Sequence, residues 1–390
     1  MVTLQTADNA LKSFYLEAVS DTLNRKVNPF FAKVQQSTSD VLGKDVRKLV
    51  RYGVHGGVGA GSETGDLPKA GGNNYVQFVA PLKNLYGTIE ISDKAIRASA
   101  GSEGAFVNLL NDEMEGLVKD ATFQFGRMLF GPEKKTQYYF EEIENNVLTL
   151  SSVKNLFAGM TVYVLNESFQ TFEAVGARRI KAVNRADSTI TLEGTDVLSL
   201  MGEEVSGYIV IAKDYDNELT GLESIFGSGD LYGIKREDYD FMQPIVKTNV
   251  GAIDENVIQK VIDELDEISG SNVNFIICSW GVRRALVNYY KEKGMIMQTM
   301  EMEGGFKTLS FNGIPVVTDR FCPKGTMYLL NTDDFKLCQL CDWQWLESDD
   351  GKILKQVPGK PVYTATLVKY AELICERPAG QAKLTGITEA

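Results

Sequence analysis

One histidine, His55, serves the whole chain of 390 residues. That excludes metal sites built on several imidazoles. His55 itself lies among glycines, with nothing nearby to fix its ring for proton transfer. Cysteine is nearly as sparse, at five residues. Cys278, Cys322 and Cys375 are scattered, and Cys338 and Cys341 share the stretch FKLCQLCDWQWLE, whose pattern is extended. Residues three apart on a strand face opposite sides, so this pair resembles neither half of a zinc site nor a redox pair at a helix start. Few cysteines and no export signal indicate a reducing compartment. No apolar run approaches the roughly 20 residues of a membrane span. The first residues, MVTLQTADNALKSFYLEAVSD, lack the basic region and apolar core of a signal peptide, and no membrane partner is expected. A positive balance is missing too: 40 Lys and Arg against 52 Asp and Glu leave a net charge of −12, the wrong sign for a surface that grips nucleic acid. No G-x-S-x-G elbow occurs, and the pairs Glu141/Glu142 and Asp349/Asp350 read as solvated rims. No constellation carries chemistry, so no catalytic residue, cofactor or metal is expected.

Glycine is concentrated in one place, GVHGGVGAGSETGDLPKAGGNNYVQF, residues 53–78. A phosphate-cradling loop fails on its own requirements. Gly56 and Gly61 have the Walker spacing, but Ser62 stands where the lysine belongs. Gly57 and Gly59 fit a dinucleotide fingerprint, but Ser62 again replaces its third glycine. Glu63 and Asp66 would repel phosphate, and Pro68 removes a backbone donor. The flanks read as strand instead: residues 45–52 before, and NYVQFVAPLKNLYGTIEIS after, with the Ile89-Glu90-Ile91 alternation. Two extended arms around a flexible tip make a long projecting hairpin. Such a hairpin has little core of its own and is costly to order unless a neighbouring molecule supplies the missing surface.

Elsewhere the pattern changes several times. Residues 7–25 have helical spacing (Leu11, Phe14, Tyr15, Ala18, Leu23) and stop at Asn28-Pro29. Ser92 and Asp93 can cap a short helix, DKAIRAS. A longer one then runs to Gly131-Pro132, with Phe106, Leu109, Leu110, Met114, Leu117, Ala121, Phe125, Met128 and Leu129 at helical spacing. At about 28 residues it is on the order of 40 Å long and reads as a spine. Residues 137–215 hold short alternating strands with Asn- and Gly-rich turns, the signature of a small β-barrel or sandwich. Tyr163, Phe169, Phe172 and Tyr208 there read as core in preference to a sugar platform. After NELTGLESIFGSGD the pattern turns α/β. Asp254 opens a helix with Val257, Val261, Leu265 and Ile268 inward, VNFIICS is a buried strand, and WGVRRALVNYYKEKG is a helix ended by Gly294. FKTLSFNGIPVVTD carries the hairpin turn Asn312-Gly313, and long strand segments close the chain.

This order of parts resembles the major capsid proteins of tailed bacteriophages, the Hong-Kong-97-type fold family. The likeness is carried by GSETGDLPKAGG followed by TIEISDKAIRAS, by TGLESIFGSG, and by FNGIPVVTDRFCPKGTMYLLNTDDF. It implies an α+β fold: N-terminal arm 1–46, extended hairpin loop 47–92, spine helix and peripheral domain 93–136, inserted β-barrel or sandwich domain 137–215, linker and peripheral segment 216–251, axial domain 252–330, and peripheral C-terminal strands 331–390. It implies a structural subunit of an icosahedral head shell in the virion, assembled in the bacterial cytoplasm. Hexamers and pentamers would enclose double-stranded DNA without sequence-specific binding. The implied partners are further copies of the chain, a separate scaffolding protein, a portal protein and a decoration protein. The scaffolding expectation follows because no long helical segment precedes the arm; a truncated precursor is the other reading, and Met1 favours the unprocessed one. The Lys, Asn and Glu arrangement of covalently cross-linked relatives cannot be mapped, so closure without covalent links is expected. In that family the glycine-tipped arm lies over an adjacent subunit, and glycine suits a segment that must take several conformations. The expected intersubunit contacts are Gly56, Gly57, Gly59, Gly61, Asp66 and Lys69 at the tip, with Arg97 and Glu103 at the base. Two alternatives stand beside this: an encapsulin-type nanocompartment shell, and a ligand-binding module carried by the β domain.

Overall fold

Alternation along Asp45–Tyr52 sets Val46, Lys48 and Val50 on a buried face and Arg47, Leu49 and Arg51 outward. Asn74–Pro81 pairs with it antiparallel, from Asp45↔Pro81 to Tyr52↔Asn74, and adds Phe78 and Ala80 to the buried face. The computed structural model describes residues 28–94, 103–131, 138–202, 205–211, 217–294, 299–302, 306–347 and 351–390. The helix expected over 7–25 and most of DKAIRAS lie outside them. Chain contacts divide the molecule into two units, residues 1–126 with 225–390, and residues 127–224.

In the first unit the hairpin differs from expectation in two ways. It ends at Pro81. Lys83–Ser92 leaves it and pairs antiparallel with Val362–Cys375, from Ser92↔Val362 to Lys83↔Ala371. The hairpin also has a core. Its inner face packs against Leu231, Tyr232, Met242, Cys338 and Ile374, with Tyr239 and Phe241 beside them. Tyr52 stacks on Phe241 at 5.2 Å. A stretch that reads as linker thus supplies the apolar cover that the hairpin pattern demands.

Val362–Cys375 is the centre of a five-stranded sheet, flanked antiparallel by Phe335–Trp345. Its Lys369 is fully buried, donating to Gln339 Oε1 (2.8 Å) and Asp342 Oδ1 (2.6 Å) above the Phe125 ring. Burial lowers its pKa, and Asp342 partly offsets that. Phe125 belongs to the 28-residue helix Glu103–Phe130, on which Met114, Val118, Met128 and Leu129 are also buried. Cys338 is buried in the hairpin cluster, its thiol pushed up to about 11 chiefly by burial, and Cys341 is half-buried across two register shifts.

A seven-stranded mixed sheet runs in the order Ile245–Lys247, Ala382–Leu384, Met327–Leu330, Phe275–Cys278, Ile314–Thr318, Phe306–Phe311, Thr299–Met302. It therefore draws strands from both sides of residues 252–330. Asp254 caps Glu255–Ser269 by accepting from the Val257 N–H at 2.8 Å. Ile258, Val261 and Leu265 form the inward line. Val257 is half-buried, and Ile268, rotated off that line in the last turn, is 62% exposed, against expectation. Asn312 (φ 49°) and Gly313 (φ 82°) make the two-residue turn joining Phe311 to Ile314; both residues need positive φ, as a type I′ turn does.

The final residues fold onto the start of helix Trp280–Glu292. Glu389 Oε1 accepts from the Ser279 hydroxyl (2.5 Å) and the Gly325 N–H (2.8 Å). Burial pushes this carboxyl up, but Ser279, Gly325, Lys324 and Arg284 together bring it below its ordinary value. A depressed folded pKa adds stability above the unfolded value, lost as pH falls through the folded one. Glu389→Gln is therefore expected to lower the melting temperature at neutral pH by about 1 °C. The gap to the parent should close as the pH drops below 4.5; a gap that persists in acid would assign the effect to packing.

In the second unit six strands close into a barrel in the order Thr189–Leu192, Val147–Leu150, Tyr138–Glu144, Gly207–Ile211, Thr161–Leu165, Arg178–Asn184. Phe140, Leu148, Val162, Val164, Ile190 and Ile209 fill it. Tyr163, Phe169 and Tyr208 were expected in that core and are only half-buried. Alternation explains two of them: Val162, Val164 and Ile209 take the inward positions, leaving Tyr163 and Tyr208 outward. The Phe169 ring stacks on Tyr208 at 4.6 Å. Phe172 packs, partly buried, against the core.

Candidate assembly arm

Between the hairpin strands lies residues 53–73, without strand or helix. Every residue there is exposed except the half-buried Gly57. The two limbs meet at a neck. A Cβ on Gly71 would lie 2.0 Å from the His55 carbonyl oxygen and 2.5 Å from the Gly57 nitrogen. One on Gly57 would lie 2.7 Å from the Gly71 nitrogen. Only glycine permits backbone to touch backbone so closely. Beyond the neck, Gly59 faces Pro68, Gly61 faces the Asp66 carbonyl, and the Gly65 N–H donates to the Ser62 carbonyl at 3.2 Å. The tip is thus a lobe folded back on itself. Sequence reading assigned its glycines to flexibility and missed the neck; the signal available was Gly57 and Gly71 at opposite ends of the polar turn.

The lobe exposes aliphatic side chains: Val54 is 82%, Val58 92% and Leu67 89% accessible. Asp66 and Lys69 are exposed, and among the described residues neither makes an ion pair. Gly56 has φ +70° with open space around it. Arg97 lies outside the described residues. Glu103 opens the long helix, and its side chain lies outside them too. The structure therefore brings together Gly56, Gly57, Gly59, Gly61, Asp66 and Lys69, and does not test the two at the base.

The hairpin is held at its root by charge. Lys48 Nζ lies 2.7 Å from Asp40 and 3.0 Å from Glu376, which also pairs with Lys336 at 2.9 Å. Burial works against the Lys48 cation, but these partners raise its pKa overall. A polar groove lies where Thr88 and Ile89 meet Glu113, Gly116, Leu117, Lys119 and Asp120 of the long helix. Burial raises the Asp120 carboxyl above its usual range. Among the described residues no group of His, Cys, Asp and Glu could hold a metal, and no helix is long and apolar enough to cross a membrane.

Neither a family model nor a curated protein sequence matches this chain. Solved structures do. A chain of the cyanophage A-1(L) capsid asymmetric unit aligns with a TM-score of 0.56 and 11% identity, covering 93% of each chain. The capsid of an empty GTA particle aligns with a TM-score of 0.48 and 11% identity, over 93% of this chain and 91% of that one. The SrpI encapsulin of Synechococcus elongatus PCC 7942 aligns with 0.47 and 9% identity, over 93% and 89%. The chain thus has, along nearly its whole length, the α+β fold of a bacteriophage capsid protein.

Proposed function

We propose that this chain is the structural subunit of an icosahedral phage or prophage head, assembling into hexamers and pentamers around double-stranded DNA. The observation that carries the reading is the agreement in fold with the cyanophage capsid chain over 93% of both proteins. The arm supports it. Three aliphatic side chains held in water at the end of a well-backed hairpin are worth covering, at roughly 1.5–3 kcal/mol each when fully buried, and a second copy is the cover that repeats around a ring. The net charge of −12 suits a wall that does not trap packaged DNA. Asp66 and Lys69 would contact the neighbour, and the polar groove beside the long helix is a candidate seat. A scaffolding protein would set the curvature, with portal and decoration proteins completing the head.

Light scattering and negative-stain imaging of the purified chain, alone and with its genomic neighbours, test this. Rings of five or six, tubes or closed shells are expected. A monomer that persists with the candidate scaffolding protein present would sink the shell.

A further inference from the structure

The barrel carries its charges on opposite sides. Strand Tyr138–Glu144 holds Glu141, Glu142 and Glu144, all exposed, and no cation. Strand Arg178–Asn184 holds Arg178, Arg179 and Lys181, with Arg185 directly after it, and no carboxylate before Asp187. Going round the barrel, the acidic strand is followed by Val147–Leu150, Thr189–Leu192 and then the basic strand. The other way round, it is followed by Gly207–Ile211, Thr161–Leu165 and again the basic strand. Three steps in either direction place the two strands diametrically apart.

Among the described residues, no ion pair neutralises either strand. Among the described residues, Glu141, Glu142, Glu144 and Lys181 make no ion pair. The guanidinium groups of Arg178, Arg179 and Arg185 donate only to main-chain carbonyls, of Val175 and Glu193, of Gly159, and of Val153 and Leu156. Those acceptors, with the Phe157 ring 5.2 Å from the Arg185 guanidinium, orient the arginines, and none of them carries a negative charge. Strand neighbours do not compensate either: Arg179 sits opposite Thr161, and Glu142 opposite Thr149. Like charges grouped on one strand repel, and an opposite surface laid over them relieves that repulsion.

We propose that the barrel is a head-to-tail coupler between copies of this chain, the basic strand of one copy docking on the acidic strand of the next. Opposite faces with opposite charge are self-complementary by translation or rotation, and a heterologous contact of that kind generates rings or open filaments. The pairing steers encounter and sets register more than it adds affinity. It goes beyond the shell reading and does not need it, since a ring joined through barrels could form without closing into a head.

The test uses three full-length variants in sedimentation at low and high salt: Glu141→Lys with Glu142→Lys, Arg179→Glu with Lys181→Glu, and all four together. Each one-face reversal is expected to weaken association about ten-fold or more at low salt, with the parent weakening as salt rises. The four-fold swap restores part of it, because the two substituted positions on each strand again carry opposite charges while Arg178, Arg185 and Glu144 keep theirs. An equimolar mixture of the two one-face variants restores the parental contact between unlike copies, because the first keeps the basic strand intact and the second keeps the acidic strand intact. Lys181→Glu alone, whose side chain makes no ion pair among the described residues, covers the case in which Arg179→Glu disturbs the loop at Gly159. A swap no better than the single reversals overturns the proposal, as does association indifferent to both salt and reversal. So does salt-sensitive capture of double-stranded DNA that Lys181→Glu abolishes while association is unchanged. Rings that obey the swap but never close sink the shell reading alone. Closed particles that ignore the swap sink this inference alone, and a parent that stays monomeric at all salts sinks both.

Discussion

Replacing residues 58–70 with a two-residue Asn-Gly turn is expected to leave a chain that folds as before and no longer assembles. The deleted lobe buries nothing: all of its residues are exposed. The hairpin's core is elsewhere, where Val46, Val50, Phe78 and Ala80 meet Leu231, Tyr232 and Met242, and the replacement does not touch it. Asn-Gly suits the twist of paired strands, and Gly57 and Gly71 already bring the limbs together. A shorter loop also closes at less entropic cost, by about 0.6 kcal/mol per halving. The melting temperature should stay level or rise by about 1–2 °C, while the particle yield falls at least about ten-fold as Val58, Leu67, Asp66 and Lys69 are lost. Gly71→Ala is the milder version: the added Cβ must push the neck open, moving the lobe without removing it. Thermal melts beside particle counts separate the outcomes. Undiminished assembly would remove the arm from the contact, and a parallel loss of folding would make the lobe part of the fold.

Local chemistry made part of this legible in the sequence. Asp254 does cap its helix, and Asn312-Gly313 does turn a hairpin, because those signals act over two to four residues. The pairing of Lys83–Ser92 with Val362–Cys375 had no local signal. Lys83–Ser92 alternates and Val362–Cys375 is buried on both faces over much of its length, but neither pattern names a partner some 280 residues away. Tyr163 and Tyr208 were misplaced because composition marks aromatics as core, whereas the strand period puts their aliphatic neighbours inward. The glycine neck and the buried Lys369 were invisible for a related reason. Each depends on what lies across from it in space. The arm was readable as an arm, but its backing was not, since the stretch around residues 229–243 has no regular period and reads as linker.

That backing gives the second large effect. Arg236→Met is expected to cost about 3–5 kcal/mol and to loosen the hairpin from beneath. Arg236 is buried, with Nε donating to the Gly229 carbonyl (2.6 Å) and one terminal nitrogen to the carbonyls of Ile225 (2.6 Å) and Met242 (3.3 Å). Burial lowers its pKa, with Tyr232 and Cys375 partly opposing. One side chain thus ties three points of an otherwise irregular segment, and methionine leaves those carbonyls without that donor. Beside it Tyr232, at φ 51°, donates to the Leu373 carbonyl and accepts from the Cys375 N–H, both at 3.0 Å. The Tyr232 carbonyl in turn accepts from the Val79 N–H in the hairpin. Loss of Arg236 should therefore travel to Asn74–Pro81. Denaturant midpoints would give the cost, and hydrogen exchange at Val76 to Ala80 would show the loosening. Arg236→Lys, which keeps the charge but cannot span three acceptors, should fall between. Here assembly should decline together with folding, the reverse of the lobe replacement, because this change removes the support of the arm and leaves its contact surface unaltered. A cost below about 1 kcal/mol, or hairpin amides that exchange as in the parent, would mean that the hairpin is backed by apolar packing alone.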